Sequence, residues 1–310
     1  MNDPEIFSAE DLIRSPEKFL TSDPPVRYAV VGDPVAHSKS PIFQNAAMKA
    51  CGIPARYARL HVPKALANEV FRALPTAGFR GANVTFPLKA FARDAVDEAD
   101  DFARRTGAVN TIAVEGNKLA GYNTDGPGFA RAIREEFSVD LRDVRVVLLG
   151  AGGGAGRAIA VQCAVESCER LVLVNRTFGK ACALAEELDP FFRGDRLVGP
   201  VERILAIPFE ERALREQLAH ADLLINATSV GMKRSDPPLI PSALLTPNLM
   251  VYDAVYGAGP SRLIADATAA GARSANGLSM LLHQGALAFE IWFNRPAPLE
   301  IMRRALFEIP

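Results

Sequence analysis

Residues 144–161 read VRVVLLGAGGGAGRAIAV, an apolar run that breaks into glycines and then resumes as a helix former. Val144 and Val146–Leu149, interrupted only by Arg145, have the pattern of a buried strand. Ala158–Val161 continue as a helix. Glycines at 150, 152, 153, 154 and 156 let the backbone between them come close to a ligand, and a helix N-terminus presents free N–H groups to an anion. A glycine run alone could be a flexible loop. The strand before it and the helix after it are the context that a dinucleotide-binding turn requires. One strand later the chain reads LVLVNRT, residues 171–177. An acid at the end of that strand would accept from a ribose 2′-hydroxyl and repel a 2′-phosphate. Asn175, Arg176 and Thr177 stand there instead, and a guanidinium suits a 2′-phosphate. The expected cofactor is NADP rather than NAD, the alternative being that Arg176 is an ordinary surface charge.

A chain of 310 residues exceeds the usual size of a single core, so two domains are expected. With 35 basic and 36 acidic residues the net charge is −1, which favours neither nucleic acid nor an anionic membrane as a partner. No apolar run approaches the ~20 residues of a membrane span. The first residues lack the charged and apolar regions of a secretory signal, and a cytoplasmic location is expected. Cys51, Cys163, Cys168 and Cys182 show no CxxC spacing and read as reduced packing residues; with four scattered histidines, no metal site is expected.

Residues 1–25 are polar and punctuated by Pro4, Pro16, Pro24 and Pro25, and are expected to be an extension of weak structure. From Val26 strands and helices alternate: strands at 28–31, 56–61 and 81–85, helices after Pro41, over 65–74, and after Pro87 and Asp97. A hairpin is expected from 108–114 and 118–121 around Glu115–Gly116–Asn117. A helix over 125–137 leads to strands at 145–149, 171–174, 222–226, 249–252 and 272–275, with helices at 154–166, 178–188 and 261–270. Two helices, 278–293 and 298–307, close the chain. The fold class is α/β: an N-terminal α/β substrate domain (26–124 with 278–310), a doubly wound Rossmann NADP-binding domain (125–277), and C-terminal helices packing back on the first domain.

Five short polar clusters fall where strands end, where open α/β sheets carry ligands. Gly32–Pro41 holds Ser38 and Ser40 before a helix N-terminus, fit for a small carboxylate or, for Ser40, a helix cap. Asn83–Lys89 places Lys89 in a first helical turn, an unfavourable end of the dipole for a cation. Gly107–Thr111 holds Asn110, which could satisfy a buried backbone group. Gly121–Gly126 holds Asp125, which could be an N-cap. In the penultimate helix Gln284 interrupts an apolar run, and its neighbour His283 reads as packed or exposed rather than as a ligand.

Taken together and in order, these clusters closely resemble the shikimate dehydrogenase family from about Val26 to Trp292. The shared motifs are G-x-P-x-x-H-S-x-S-P at 32–41, N-V-T-x-P-x-K at 83–89, A-V-N-T at 108–111 and G-x-N-T-D-G at 121–126. Three more follow: N-R-T at 175–177, N-A-T-x-x-G-M at 226–232 and Q-G-A-x-A-F at 284–289. The resemblance implies that Ser38 and Ser40 hold a substrate carboxylate, that Thr85, Asn110 and Gln284 bond ring hydroxyls, and that Tyr256 lines the site. It makes Lys89 and Asp125 the catalytic pair, both contacting the hydroxyl that is oxidised. It assigns Gly150, Ala151, Gly152, Gly153, Gly154, Asn175, Arg176, Thr177 and Lys180 to NADP, with Ala254 and Gly277 near the nicotinamide. The implied reaction is the reversible reduction of 3-dehydroshikimate by NADPH, a step of aromatic amino acid and chorismate biosynthesis, by a monomer or homodimer.

Some positions depart from the family pattern. The turn at 150–156 carries one glycine more than its commoner form, Lys180 stands where arginine is frequent, and Gln44 where histidine is. Gly257–Ser261 also replaces a proline-then-threonine pattern. Two alternatives remain open: a quinate or quinate/shikimate dehydrogenase, and a non-catalytic NADP-sensing protein on the same scaffold. Quinate users often carry threonine at the position of Ser40, and a sensor would lack Lys89 or Asp125.

Overall fold

The computed structural model describes residues 5–193, 202–257 and 259–308. The chain divides into two compact units, one holding the chain up to Thr124 together with Leu281 onward, the other Asp125–Met280.

The first unit is built on a mixed sheet. Its elements begin with β1 (Ile6–Ser8), α1 (Ala9–Arg14), α2 (Glu17–Thr21), β2 (Val26–Gly32), α3 (Ser40–Ala50), β3 (Arg56–His61) and α4 (Ala67–Ala73). They continue with β4 (Gly81–Val84), α5 (Lys89–Ala95), β5 (Glu98–Ala99), α6 (Asp101–Thr106), β6 (Thr111–Glu115) and β7 (Lys118–Tyr122). The strand order is β1-β3-β2-β4-β6-β7-β5. The first four run parallel, while β6 is antiparallel to both β4 and β7. Nearly all of β2 is buried, as a central parallel strand covered on both faces requires. Gly116 takes a left-handed φ of 63° in the turn between β6 and β7, so the expected hairpin is present.

The stretch before Val26 is not weakly structured from Glu5 on, which corrects the expectation for residues 1–25. Ile6–Ser8 pairs with Arg59–His61 as an edge strand. Ser8 and Asp11 cap α1 reciprocally, Ser8 N–H giving to Asp11 Oδ2 (3.0 Å) and Asp11 N–H to Ser8 Oγ (3.1 Å). Lys18 pairs with the same Asp11 at 2.7 Å and, as the largest cause, holds its carboxyl down at about 2. Phe7, Leu12 and Phe19 enter the core, with Phe19 ring to ring on Phe7 (4.7 Å) and Phe79 (5.2 Å). Prolines and charges masked three anchors spaced over one strand and two short helices.

The second unit comprises α7 (Asp125–Phe137), β8 (Arg145–Leu149), α8 (Gly154–Val165), β9 (Arg170–Val174), α9 (Phe178–Leu188), β10 (Ile204–Ile207) and α10 (Glu211–Leu218). It ends with β11 (Leu223–Asn226), β12 (Met250–Asp253), α11 (Arg262–Ala269) and β13 (Arg273–Asn276). Its sheet runs β10-β9-β8-β11-β12-β13, parallel throughout. In order of appearance that is 3-2-1-4-5-6, the doubly wound arrangement of two mononucleotide-binding halves. β10 and α10 were not among the expected elements. β10 is a short edge strand that, among the described residues, pairs only with β9. α10 buries only Leu214 and Leu218 beneath a charged surface that pairs Arg215 with Glu211 and Arg212 with Glu216.

α12 (Leu278–Phe293) and α13 (Leu299–Phe307) end the chain, and from Leu281 they belong to the first unit. Trp292 Nε1–H donates to Ile112 O (2.9 Å), and its ring lies 4.9 Å from that of Tyr28. Gly81 is needed beneath it, since a Cβ there would come within 2.3 Å of the indole. Among the described residues no helix is long and apolar enough to cross a membrane, and no group of three or more His, Cys, Asp or Glu could hold a metal ion. Cys51, Cys163, Cys168 and Cys182 are free thiols.

Candidate active site

In the first unit the polar clusters sit on loops that leave the carboxyl ends of β2 and β4 and on the hairpin beside them. The loop after β2 reaches α3 through Ser38 and Ser40. Lys39 occupies the cap position without a side-chain bond and Ser40 is the first helical residue, so Ser40 is not the helix cap that one reading allowed. Ser40 is buried, and its N–H donates to Ser38 Oγ (3.3 Å). Beneath this loop lies Arg59, a buried arginine on β3 that sends Nε and Nη2 to the Ser38 carbonyl (3.1 and 2.9 Å). The loop is also locked to the one after β4. Asp33 N–H donates to Phe86 O (3.1 Å), and a Cβ at Gly32 would meet Thr85 Cγ2 at 2.4 Å. Ser38 and Thr85 are therefore on adjoining loops, and Ser40 opens α3 at the end of the first.

A buried hydrogen-bonded run connects β3, β4, β6 and the end of β7. Tyr57 Oη–H donates to Asn83 Oδ1 (2.8 Å), and Asn83 Nδ2 to Thr111 Oγ1 (3.0 Å). Thr111 Oγ1 donates to Asn110 Oδ1 (3.0 Å), which also accepts from Thr124 N–H (2.8 Å). Asn110 Nδ2 donates to Thr124 Oγ1 (3.0 Å). Burial holds the Tyr57 hydroxyl far above its usual range, so it stays a donor. Asn110 thus does satisfy a buried backbone group, and in doing so its amide orientation is dictated by a donor that cannot flip.

Lys89 is the first residue of α5, and its carbonyl accepts from Val109 N–H (3.0 Å), which brings it beside Asn110. Asp125 follows Thr124 directly, is buried, and opens α7. Gln284 is 9% exposed on α12, with Nε2 bonded to Leu281 O (2.8 Å). The next residue, Gly285, presses against α3: a Cβ would be 2.4 Å from the Phe43 ring, and Gln44 Nε2 donates to the Gly285 carbonyl (2.8 Å). His283 is packed, 5% exposed.

In the second unit the glycine turn folds over the end of β9. Gly150 N–H and Ala151 N–H both donate to Val174 O (2.8 and 3.2 Å), and Gly153 N–H to Gly150 O (3.1 Å). Gly150 has φ 88°, with Ala227 and Thr228 backbone 2.8 Å from where a Cβ would be. A Cβ on Gly152 would lie 3.0 Å from Asn175 Nδ2 and 3.1 Å from Lys180 Cβ, so the turn and the 175–180 segment are in contact. Asn175 Nδ2 donates to Thr177 O (3.0 Å), while Arg176, Thr177 and Lys180 are exposed. Two cations and no acid stand at this strand end, and space above Gly154 is open at the start of α8. This donor set fits a nucleotide carrying a 2′-phosphate. Gly277 meets Ala254, whose carbonyl would be 2.2 Å from a Cβ at 277, and Tyr256 is half-buried.

Two supporting residues lay outside the expected site, Arg59 and Tyr57. The available signal was Arg59, a charged residue flanked by Ala58 and Leu60 in the middle of the strand RYARLH.

The chain matches two family models, the shikimate dehydrogenase substrate binding domain over residues 30–112 and the shikimate 5′-dehydrogenase C-terminal domain over 277–307. It is 41% identical over 281 residues to a shikimate dehydrogenase (NADP(+)) of Methanopyrus kandleri, covering 90% of this chain and 94% of that one. The chain belongs to the shikimate dehydrogenase family. Solved structures of shikimate dehydrogenases share its fold. One in complex with NADP+ has a TM-score of 0.82 at 34% identity, covering 91% of this chain and 94% of that one. Another, from Thermus thermophilus with NADP(H) and shikimate, has 0.79 at 35% identity, covering 91% and 99%. The two shikimate dehydrogenase models take in the Ser38–Ser40, Thr85–Lys89, Asn110 and Gln284 clusters. The glycine turn and residues 175–180 fall outside both and rest on the whole-chain likeness.

Proposed function

We propose that this protein catalyses the reversible NADPH-dependent reduction of 3-dehydroshikimate to shikimate. The observation that carries this reading is the ordered set of polar residues at strand ends, complete with Lys89 and Asp125. Backbone and side-chain bonds bring Lys89 beside Asn110, and Asn110 to the residue preceding Asp125.

Ser38 and Ser40 hold the substrate carboxylate at the start of α3, and Thr85, Asn110 and Gln284 orient the ring hydroxyls. A polyhydroxylated ring needs many fixed polar partners to present one carbon for reaction. Arg176, Thr177 and Lys180 hold the 2′-phosphate, and the glycine turn receives the pyrophosphate. NADPH supplies the hydride when bound. As the carbonyl oxygen takes on charge, the Lys89 ammonium gives it a proton; in the oxidative direction Lys89 takes that proton back. Asp125 accepts from the same hydroxyl and orients the ammonium.

The presence of both Lys89 and Asp125 separates this reading from a non-catalytic sensor. Ser40, rather than threonine, and Arg176 favour shikimate with NADP over quinate with NAD. Initial rates of oxidation of shikimate and of quinate, each with NADP+ and with NAD+, test the proposal. Turnover confined to shikimate with NADP+ is expected. Efficient use of quinate with NAD+ would move the enzyme to the quinate branch, and no turnover with any pair would make it a sensor.

A further inference from the structure

Asp253 ends β12 with no exposed surface, and the chemistry above does not use it. Three donors from three segments converge on its carboxylate. Asn226 Nδ2 (2.8 Å) and Val255 N–H (3.1 Å) meet Oδ1, and Ser261 Oγ donates to Oδ2. Burial pushes this carboxyl up from its ordinary range, and the three hydrogen bonds oppose that. Burying a carboxylate is costly unless it is hydrogen-bonded, and the bonds that offset the cost here come from separate segments, which they hold to one another.

What it organises is backbone. Asn226, at the end of β11, gives its other amide proton to Val230 O (3.1 Å) and accepts from Thr228 N–H (2.9 Å) and Oγ1 (2.7 Å). It is thereby the crosspiece of the turn 226–231. Gly231, with φ 104°, lies over Asp253 and Ser261: a Cβ there would be 3.7 Å from Asp253 Oδ2 and 3.3 Å from Ser261 Cβ. Ser261 caps α11 through Ile264 N–H (3.3 Å). Between these, Ala254 N–H donates to Asn226 O (2.8 Å) and Gly277 N–H to Val255 O (3.3 Å). The carboxylate ties the 226–231 turn, the 254–256 segment and the start of α11 into one knot.

The knot stands at the carboxyl edge of β11–β13, whereas Arg176 and the glycine turn belong to β8–β10. In a sheet of this order each half receives one mononucleotide. With the 2′-phosphate side on the first half, the nicotinamide side falls to the second. We propose that Asp253 is a positioning residue that shapes the 226–231 turn and the 254–256 segment as the seat of the cofactor's nicotinamide half. This rests on the NADP reading above.

The test is calorimetric titration of the full chain with NADP+ and with 2′,5′-ADP, which carries the adenosine and 2′-phosphate without the nicotinamide. Asp253→Asn keeps the size but turns a donor toward Ser261 or Asn226, leaving a buried polar mismatch. It is expected to raise the Kd for NADP+ about tenfold, roughly 1.4 kcal/mol, while the Kd for 2′,5′-ADP stays within about twofold. Ser261→Ala removes one donor, leaves the carboxylate, and is expected to shift NADP+ in the same direction by about threefold. Equal weakening of both ligands in the folded variants, or unchanged NADP+ binding, overturns the proposal. If Asp253→Asn does not fold, the Ser261→Ala pair of titrations decides alone, on the same terms. Failure of the unaltered protein to bind either ligand would instead overturn the NADP reading itself.

Discussion

At the residue scale, a cation at the first position of a helix faces the end of the dipole that favours anions, so Lys89 is held there against a local preference. The proton-donor role proposed for Lys89 would account for that placement. Lys89→Ala is expected to lower kcat by about two to four orders of magnitude, the usual range for loss of a general acid–base. NADP+ affinity, measured by titration, should hardly change; near-normal turnover would remove Lys89 from the mechanism. Arg176 makes a different kind of claim. It is exposed, so the phosphate contact proposed for it would be partly screened, and the expected effect is correspondingly modest. Arg176→Asp should move the kcat/KM ratio of NADP+ to NAD+ toward NAD+ by about tenfold at low salt. An unaltered ratio would mean that Lys180 and Thr177 carry the discrimination without it.

At the scale of the element, the glycine turn separates into positions with different physical duties. Gly156 lies where α8 crosses the turn, and a Cβ would stand 2.1 Å from the Gly150 carbonyl, a backbone atom that cannot swing aside. Gly156→Ala should therefore cost about 1–3 kcal/mol of stability by overpacking, and loosen NADP(H) binding with it. Gly154 has nothing within 4 Å of its Cβ position. Gly154→Ala should leave stability unchanged or raise it by about 0.4–1 kcal/mol, yet weaken NADP(H) if the pyrophosphate takes that space, as proposed. Thermal melts of the free proteins beside cofactor titrations separate the two; equal stability losses would contradict this division. The same turn explains what was legible beforehand. A strand whose four residues after Arg145 are all apolar, a glycine cluster and a helix leave one reading of period and punctuation, and α7, β8 and α9 have the expected limits. β10 and α10 escaped because an edge strand paired on one side and a helix burying two leucines show little apolar signal. β1, α1 and α2 escaped because Phe7, Leu12 and Phe19 are spread over three elements, so no single period joins them. In the proposed site, the candidate residues stood out as polar breaks at strand ends. Their supports Tyr57, Arg59 and Asp253 lie within strands, where only three-dimensional burial shows that a polar group has partners.

At the scale of the molecule, the two units are assembled differently along the chain. The second is one continuous stretch, Asp125–Met280, whereas the first is completed only by residues from Leu281 onward. α12 changes allegiance along its length: Met280 N–H donates to Tyr252 Oη (3.1 Å) in the second unit, while Gly285 meets Phe43 and Trp292 meets Tyr28 in the first. The first unit's sheet therefore cannot be fully covered until the end of the chain is present, a long-range closure that costs loop entropy before it returns contacts. Trp292 is the fastening of that closure, with its N–H on Ile112 O and its ring over Gly81. Trp292→Ala removes a half-buried indole and leaves a void, for an expected loss of about 3 kcal/mol, near the low end for such a truncation. The loss belongs to the first unit alone. Denaturant unfolding should then show an early transition carrying the Tyr28–Tyr57 side of the molecule, while 2′,5′-ADP, held by the second unit, still binds with its original affinity at concentrations past that transition. A single transition in which nucleotide binding disappears together with the first unit would show that the contiguous unit does not stand without the interrupted one.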